Sequence, residues 1–320
     1  MNDLAHLHPD FRHVMNLSDQ ERMAFINQPR WIGYTAANQI LTALNELVEQ
    51  PKKPRMLNLL LVGEPNNGKT TIVRHFHEQY YKATEDEHPE GFKPIILAES
   101  PPTADEKGLY VSILERFFTP YRISDPTIKL RYQVIHLCRV CKVKMLIIDE
   151  FHSLLAGSAI KQRELMNAIK LLCNELMIPI VAVGTTEAVR VLHTDPQHAS
   201  RFDVKTLPAW KLDNEFAKLV LSFERILPLK RPSSLRTAEC IQLLHAISGG
   251  NLGNLQRLLS TCAIAAIKDG SEQVSRDLIG QHMWLRPTVV VKKNWPRSYA
   301  LTRTIVRIHS VSDHHCRSAV

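Results

Sequence analysis

No stretch of this sequence approaches the roughly 20 consecutive apolar residues that span a bilayer, so no membrane-crossing helix is expected. The opening Met1-Asn2-Asp3-Leu4-Ala5-His6 has no basic region followed by an apolar core, so it does not read as a secretory signal. The six cysteines are scattered and mostly sit in apolar surroundings, which predicts reduced thiols and a cytoplasmic location rather than a disulfide framework. Cys138-x-x-Cys141 has no second pair to complete a four-ligand zinc site, and a buried helix accounts for it better. His314, His315 and Cys316 lie in a stretch whose composition suits an unstructured tail. The Asn-Lys-x-Asp motif that reads guanine is absent, as is any internal repeat.

Charge is also scarcer than the total suggests. The net charge is +8. Residues 288–320 hold Lys292, Lys293, Arg297, Arg303, Arg307 and Arg317 against Asp313 alone, a surplus of +5 that leaves +3 for everything before them. A mildly basic body gives weak support for nucleic-acid binding. The remaining composition, 44% hydrophobic and 22% charged, is that of a folded chain, and 320 residues suffice for one large domain or two modest ones.

The most informative stretch runs from Leu59 to Thr71. An apolar run of strand length enters Gly63-Glu64-Pro65-Asn66-Asn67-Gly68-Lys69-Thr70-Thr71, of the form G-x-x-x-x-G-K-T, and a helix-compatible segment follows. Strand, glycine loop and helix together make a phosphate-binding loop: backbone N–H groups turn inward around an anion, Lys69 supplies a point charge, and the Thr70 hydroxyl suits Mg²⁺. The second motif, Met145-Leu146-Ile147-Ile148-Asp149-Glu150, is a buried strand that delivers two carboxylates beside that loop. The first suits Mg²⁺ and the second an attacking water. Ile180 to Val183, then Gly184-Thr185-Thr186, is a further strand. Its Thr185 has two compatible readings, a polar group near the γ-phosphate or the N-cap of the next helix. Arg201, in Ala199-Ser200-Arg201-Phe202-Asp203 at a helix end, is either an exposed surface arginine or a group that completes a neighbouring subunit's site.

Around these motifs the organisation is regular. Residues 1–56 read as an N-terminal helical extension, with Ala37, Ile40, Leu41, Leu44, Leu47 and Val48 on one apolar face. Residues 57–207 alternate strands (near 57–62, 95–98, 145–148 and 178–183) with helices, which predicts an α/β domain with a parallel sheet covered on both faces. An acidic loop containing Glu85-Asp86-Glu87 reads as solvated. Residues 208–287 carry four helical segments and no strand, a small all-helical second domain. Residues 288–320 are a basic tail without amphipathic order, in which Trp295 and Tyr299 are interleaved with the cations.

In order along the chain, G-x-x-x-x-G-K-T, L-I-I-D-E, V-G-T and S-R-F precede a helical segment containing Gly250-Asn251-Leu252-Gly253-Asn254-Leu255. This resembles the AAA+ ATPases, and within them the transposition regulators called TniB and TnsC. Pro29-Arg30-Trp31-Ile32-Gly33-Tyr34 resembles TniB in particular. The resemblance covers roughly residues 10–287. It implies ATP and Mg²⁺ as cofactors, with Lys69 and Thr70 on phosphate and metal, Asp149 on the metal and Glu150 as hydrolytic base. It also implies Thr185 as the first sensor and Arg201 as a finger acting in trans. Relatives often carry a cationic sensor in the lid helix; here Asn254 stands at that place, and Arg257 lies one turn further on.

DNA contact, by resemblance, falls between the second strand and the second motif, where Lys107, Thr127, Lys129 and Arg131 are candidates; the other reading of these residues is a solvated helical face. The implied function is an ATPase that assembles as a ring or filament on double-stranded DNA and recruits a TniA-like transposase, with a target-selection protein as a further partner. A replication initiator or helicase loader of the same superfamily is one alternative, although an initiator is expected to carry a winged-helix domain after the lid. A signalling NTPase that binds no DNA is the other.

Overall fold

Five parallel strands build the sheet: β1 (Asn58–Gly63), β2 (Ile95–Glu99), β3 (Met145–Asp149), β4 (Ile180–Gly184) and β5 (Phe202–Leu207), in the order β2-β3-β4-β1-β5. The computed structural model of the chain describes residues 4–84, 91–193 and 199–285. Two units divide the chain, Met1–Pro287 and Thr288–Val320, and the second lies outside the described residues, as does the Glu85-Asp86-Glu87 cluster. No helix among the described residues of the first unit is long and apolar enough to cross a membrane.

The helices, in chain order, are α1 (Asp19–Asn27), α2 (Thr35–Val48), α3 (Lys69–Thr84), α4 (Glu106–Glu115), α5 (Thr127–Val140), α6 (Ala159–Leu176), α7 (Val189–Leu192), α8 (Asn214–Glu224), α9 (Ala238–Ser248), α10 (Leu252–Lys268) and α11 (Arg276–Gln281). Most begin where a short polar side chain accepts from a free N–H of the first turn: Ser18, Asp105, Ser158, Asp213, Thr237, Asn251 and Ser275. At Ser18 the cap is reciprocal, because the Glu21 carboxylate accepts from the Ser18 N–H at 2.9 Å.

Strand side chains alternate between two covered faces. Leu60, Val62, Ile96, Ala98, Leu146 and Ile148 enter one core with α4, α5 and α6. Leu59, Leu61, Ile95, Ile147, Val181 and Val183 enter the other with α2 and α3. This double burial explains why β1, β3 and β4 are continuous apolar runs in the sequence. A third core holds α8 to α11 together with Ile26 of α1. The two helices of the 1–56 stretch therefore pack on different bodies, α2 on the sheet and α1 on the C-terminal helices. Arg22 of α1 is 1% exposed; its Nη1 donates to Glu272 Oε1 at 2.9 Å, and its other terminal nitrogen bonds the second oxygen of that carboxylate.

The sequence reading contains no strand at β5 and places Arg201 at a helix end. The structure corrects the first: β5 pairs with β1 along its whole length, and Arg201 occupies the turn that leads from helical Ala199 into it. The middle of β5, Asp203 to Thr206, is exposed, so it lacks the apolar signal of the inner strands and is held by backbone pairing at the sheet edge.

Candidate functional site

A cavity of about 340 Å³ opens at the carboxyl ends of β1, β3 and β4, the position where open parallel sheets bind ligands. Its floor is the loop from β1 to α3. Asn66 (φ 58°) and Gly68 (φ 90°) have left-handed backbones that turn the loop back on itself. Gly68 also lies beneath Leu252, whose Cδ2 would stand 3.0 Å from an added Cβ. Lys69 begins α3 and is buried; its Nζ donates to the Gly63 carbonyl at 3.0 Å and the Glu64 carbonyl at 2.7 Å. Burial pushes its pKa down, against the opposing pull of Glu150, Asp149 and Glu64.

The two motifs meet at one hydrogen bond. Thr70 Oγ1 donates to Asp149 Oδ2 at 2.7 Å, while Asp149 Oδ1 accepts from the Glu150 N–H at 2.8 Å. Glu150 has a left-handed backbone (φ 55°) and opens the 3-10 turn Phe151–Leu155, anchored by buried Phe151 and Leu154. His152 Nδ1 stands 3.4 Å from Glu150 Oε2. Thr185 follows β4 and occupies the N-cap position of Thr186–Ala188. Its carbonyl accepts from the Ala188 N–H at 2.9 Å, but its side chain makes no capping bond. Thr185 Oγ1 is instead a buried hydroxyl without a hydrogen-bond partner beside the cavity.

The C-terminal helices close the other side. Asn251, the cap of α10, donates through Nδ2 to the Pro65 carbonyl at 2.8 Å. The Leu252 N–H donates to Asn67 Oδ1 at 3.2 Å and the Gly253 N–H to the Asn66 carbonyl at 3.0 Å. The Asn66 amide donates to Asn254 Oδ1 at 3.2 Å. Asn254 thus serves the loop, and Arg257 is not among the cavity-lining residues; Gln256 is. The segment between α1 and α2 also lines the cavity, through Arg30, Trp31, Ile32 and Tyr34. Trp31 stacks on His75 of α3 (3.8 Å between centroids, 7° between planes), and the Arg30 guanidinium sits 3.4 Å from the centre of the Phe25 ring. Burial pushes the Tyr34 hydroxyl up to about 12. Sequence reasoning assigned none of these four residues to the site; Trp31 and Tyr34 also pack against the core of α2 and α3, and Ile32 against that of the C-terminal helices, so their apolar character alone does not mark a site.

The remaining candidates lie elsewhere. Arg201 Nη1 donates to Asn174 Oδ1 at 2.8 Å. It stands next to the amino end of β1, whose Asn58 N–H donates to the Arg201 carbonyl, at the edge of the sheet opposite the phosphate loop. Lys107 lies in α4, and Thr127, Lys129 and Arg131 lie in α5; none of the four lines the cavity. Lys129 pairs with Asp125 at 3.0 Å, and Ile128 and Tyr132 beside it are exposed. Cys138 is buried, which pushes its thiol up to about 12. No cluster of three or more His, Cys, Asp or Glu among the described residues is built to hold a metal ion.

Among solved structures, the Aeropyrum pernix ORC2 protein in its ADPNP–ADP complexes is similar, with TM-score 0.60, 16% identity, and 81% of this chain and 71% of that chain covered. Cdc6p from Pyrobaculum aerophilum gives TM-score 0.56 at 16% identity, over 81% and 68%. The Aeropyrum pernix ORC1 protein in complex with DNA gives 0.54 at 14%, over 81% and 68%. These likenesses establish the fold, a parallel sheet flanked by helices and followed by a helical segment. No curated protein matches the sequence. The family described as Bacterial TniB protein matches residues 22–212, three-fifths of the chain, and this protein belongs to the TniB family.

Proposed function

We propose that this protein is an ATP-dependent DNA-binding regulator of transposition, which assembles on target DNA in its ATP state and recruits or activates a TniA-like transposase. The Thr70–Asp149 bond beside Lys69 carries the reading, because two hard oxygens and a cation converge at one edge of the sheet. Family membership supports the transposition role. ATP and duplex DNA as ligands are supported by relatives of the same fold solved as ADPNP–ADP complexes and in complex with DNA.

The residues fit Mg²⁺–ATP. Thr70 and Asp149 offer the oxygen donors that Mg²⁺ takes, and the loop Gly63–Thr71 offers N–H groups at a helix start. Bound Mg²⁺ would neutralise charge on the outer phosphates. Lys69 would exchange its two carbonyl partners for phosphate oxygens. Glu150 would take the proton of the attacking water, and the Thr185 hydroxyl would orient that water or the γ-phosphate. Arg201 would act on the site of a neighbouring subunit. In this scheme 57–207 is the nucleotide domain and 208–287 the lid, and α1 moves with the lid because Arg22 is bonded to Glu272. Phosphate contacts from Lys107, Thr127, Lys129 and Arg131 would bind duplex DNA without sequence preference.

Duplexes of unrelated sequence, titrated with protein and a non-hydrolysable ATP analogue, test this reading. Binding should require the analogue, ignore sequence and fall steeply with salt. Tight binding of nucleotide-free monomer to one sequence would overturn it. A role in replication initiation is the second reading, favoured by the origin-protein relatives. Retention of a replicative helicase on the loaded DNA, with no retention of a TniA-like transposase, would decide for it.

A further inference from the structure

Two buried polar atoms beside Glu150 have no hydrogen-bond partner, Thr185 Oγ1 and His152 Nδ1. Leaving such an atom unpaired costs roughly 1–3 kcal/mol, so a histidine placed there for packing alone is disfavoured. The Nδ1 edge of the His152 ring faces Glu150 Oε2 at 3.4 Å, close enough to tighten into a bond but without hydrogen-bond geometry. The backbone under both residues is fixed. Phe151 and Leu154 are buried, and a Cβ on Gly184 would come within 3.1 Å of the His152 nitrogen. The Glu150 carboxylate itself is half exposed, and no hydrogen bond among the described residues holds it. A general base on a loosely held side chain loses rate through misorientation.

We propose that His152 is a positioning residue for hydrolysis. With its proton on Nδ1 it donates to Glu150 Oε2 in the loaded site, which leaves the other carboxylate oxygen directed at the attacking water. The inference rests on Glu150 being the base.

The test uses the full chain with ATP, Mg²⁺ and duplex DNA, and measures turnover, KM and the affinity for labelled ATP. His152→Ala should lower kcat by about tenfold to a hundredfold, with KM and ATP affinity within about twofold of wild type. His152→Asn sets an amide nitrogen where Nδ1 stood and should restore most of the rate. His152→Gln sets its amide nearer the Nε2 position and should not. Unchanged kcat in His152→Ala, or equal rates in His152→Asn and His152→Gln, would overturn the positioning role. Glu150→Gln, measured alongside, separates the two ideas. Wild-type turnover in that variant removes Glu150 as base and the inference with it, whereas lost turnover there combined with unchanged His152→Ala sinks only the role of His152.

Discussion

The Asn66 amide donates to Asn254 Oδ1 at 3.2 Å, and this bond ties the tip of the phosphate loop to the first turn of α10, 188 residues away. With Asn251 on Pro65 and Leu252 on Asn67, it makes the loop and the C-terminal helices one structural unit. Gly253 lies under the Asn66 side chain so closely that an added Cβ would overlap its amide. Gly253→Ala should therefore drive the Asn66 amide aside, break its bond to Asn254 and weaken ATP binding by about fivefold to tenfold, the loss of one hydrogen bond of roughly 1 kcal/mol with some loop displacement. Titration calorimetry with ATP, beside a circular-dichroism melt to establish folding, reads this out; unchanged affinity would show that the lid contact does not shape the site.

Lys69→Ala removes the one lysine among the described residues that lines the cavity. The variant should lose ATP affinity by more than about a hundredfold, since two charge-assisted bonds at roughly 1.5–3 kcal/mol each are forfeited. Binding of labelled ATP at the wild-type level would refute the phosphate-loop assignment.

Glu150→Gln keeps size and polarity but removes the base. ATP binding should persist while hydrolysis falls by about a hundredfold or more, and protein should accumulate on DNA. Single-turnover hydrolysis and retention on duplex DNA are the two readouts; wild-type turnover would mean that another group positions the water.

Arg201→Ala should leave the monomer folded, because its partner Asn174 is an exposed neutral amide. ATPase activity should fall only under conditions of assembly, by about a thousandfold if the guanidinium stabilises the transition state. Mixing Arg201→Ala with Glu150→Gln pairs a sound active site with a sound arginine across the subunit interface. Activity should reappear in the mixture, and its absence would end the trans assignment.

The Arg22–Glu272 pair sets an acid limit on stability. Burial pushes the Glu272 pKa up, but bonds from Arg22 and Lys230 outweigh it and bring the value down from its ordinary 4.5 to about 2. The folded pKa lies below the unfolded one, so the contribution is complete above pH 4.5 and is lost as pH falls toward 2. It amounts to about 3 kcal/mol near neutrality. Glu272→Ala should destabilise by about 3 kcal/mol at pH 7, since the buried guanidinium keeps only Asp19 and the Pro228 carbonyl as partners. The gap between wild type and variant should narrow at pH 3; denaturant midpoints at the two pH values measure it.

Local sequence determined the proposed nucleotide site. The apolar runs of β1, β3 and β4, the glycine loop and the Asp149–Glu150 pair are contiguous, and their spacing carries both the strand–loop–helix conformation and the chemistry. Burial on both faces erases the polar alternation of these strands, which is why they stand out against the rest of the chain. What the sequence did not reveal depends on pairing at long range. β5 is polar in its middle and exists as a strand because β1 supplies its hydrogen-bond partners. The division of residues 1–56 between two bodies follows from the Arg22–Glu272 bonds and from the core that α2 shares with α3; the apolar face of α2 is legible as a periodicity, but the body it packs on is not. Arg30, Trp31, Ile32 and Tyr34 enter the cavity, and Asn254 turns to Asn66, because three separate segments converge on one loop. A motif is legible when its residues are neighbours in the chain, whereas the lid, the edge strand and the far wall of the cavity are set by contacts that only the folded chain brings together.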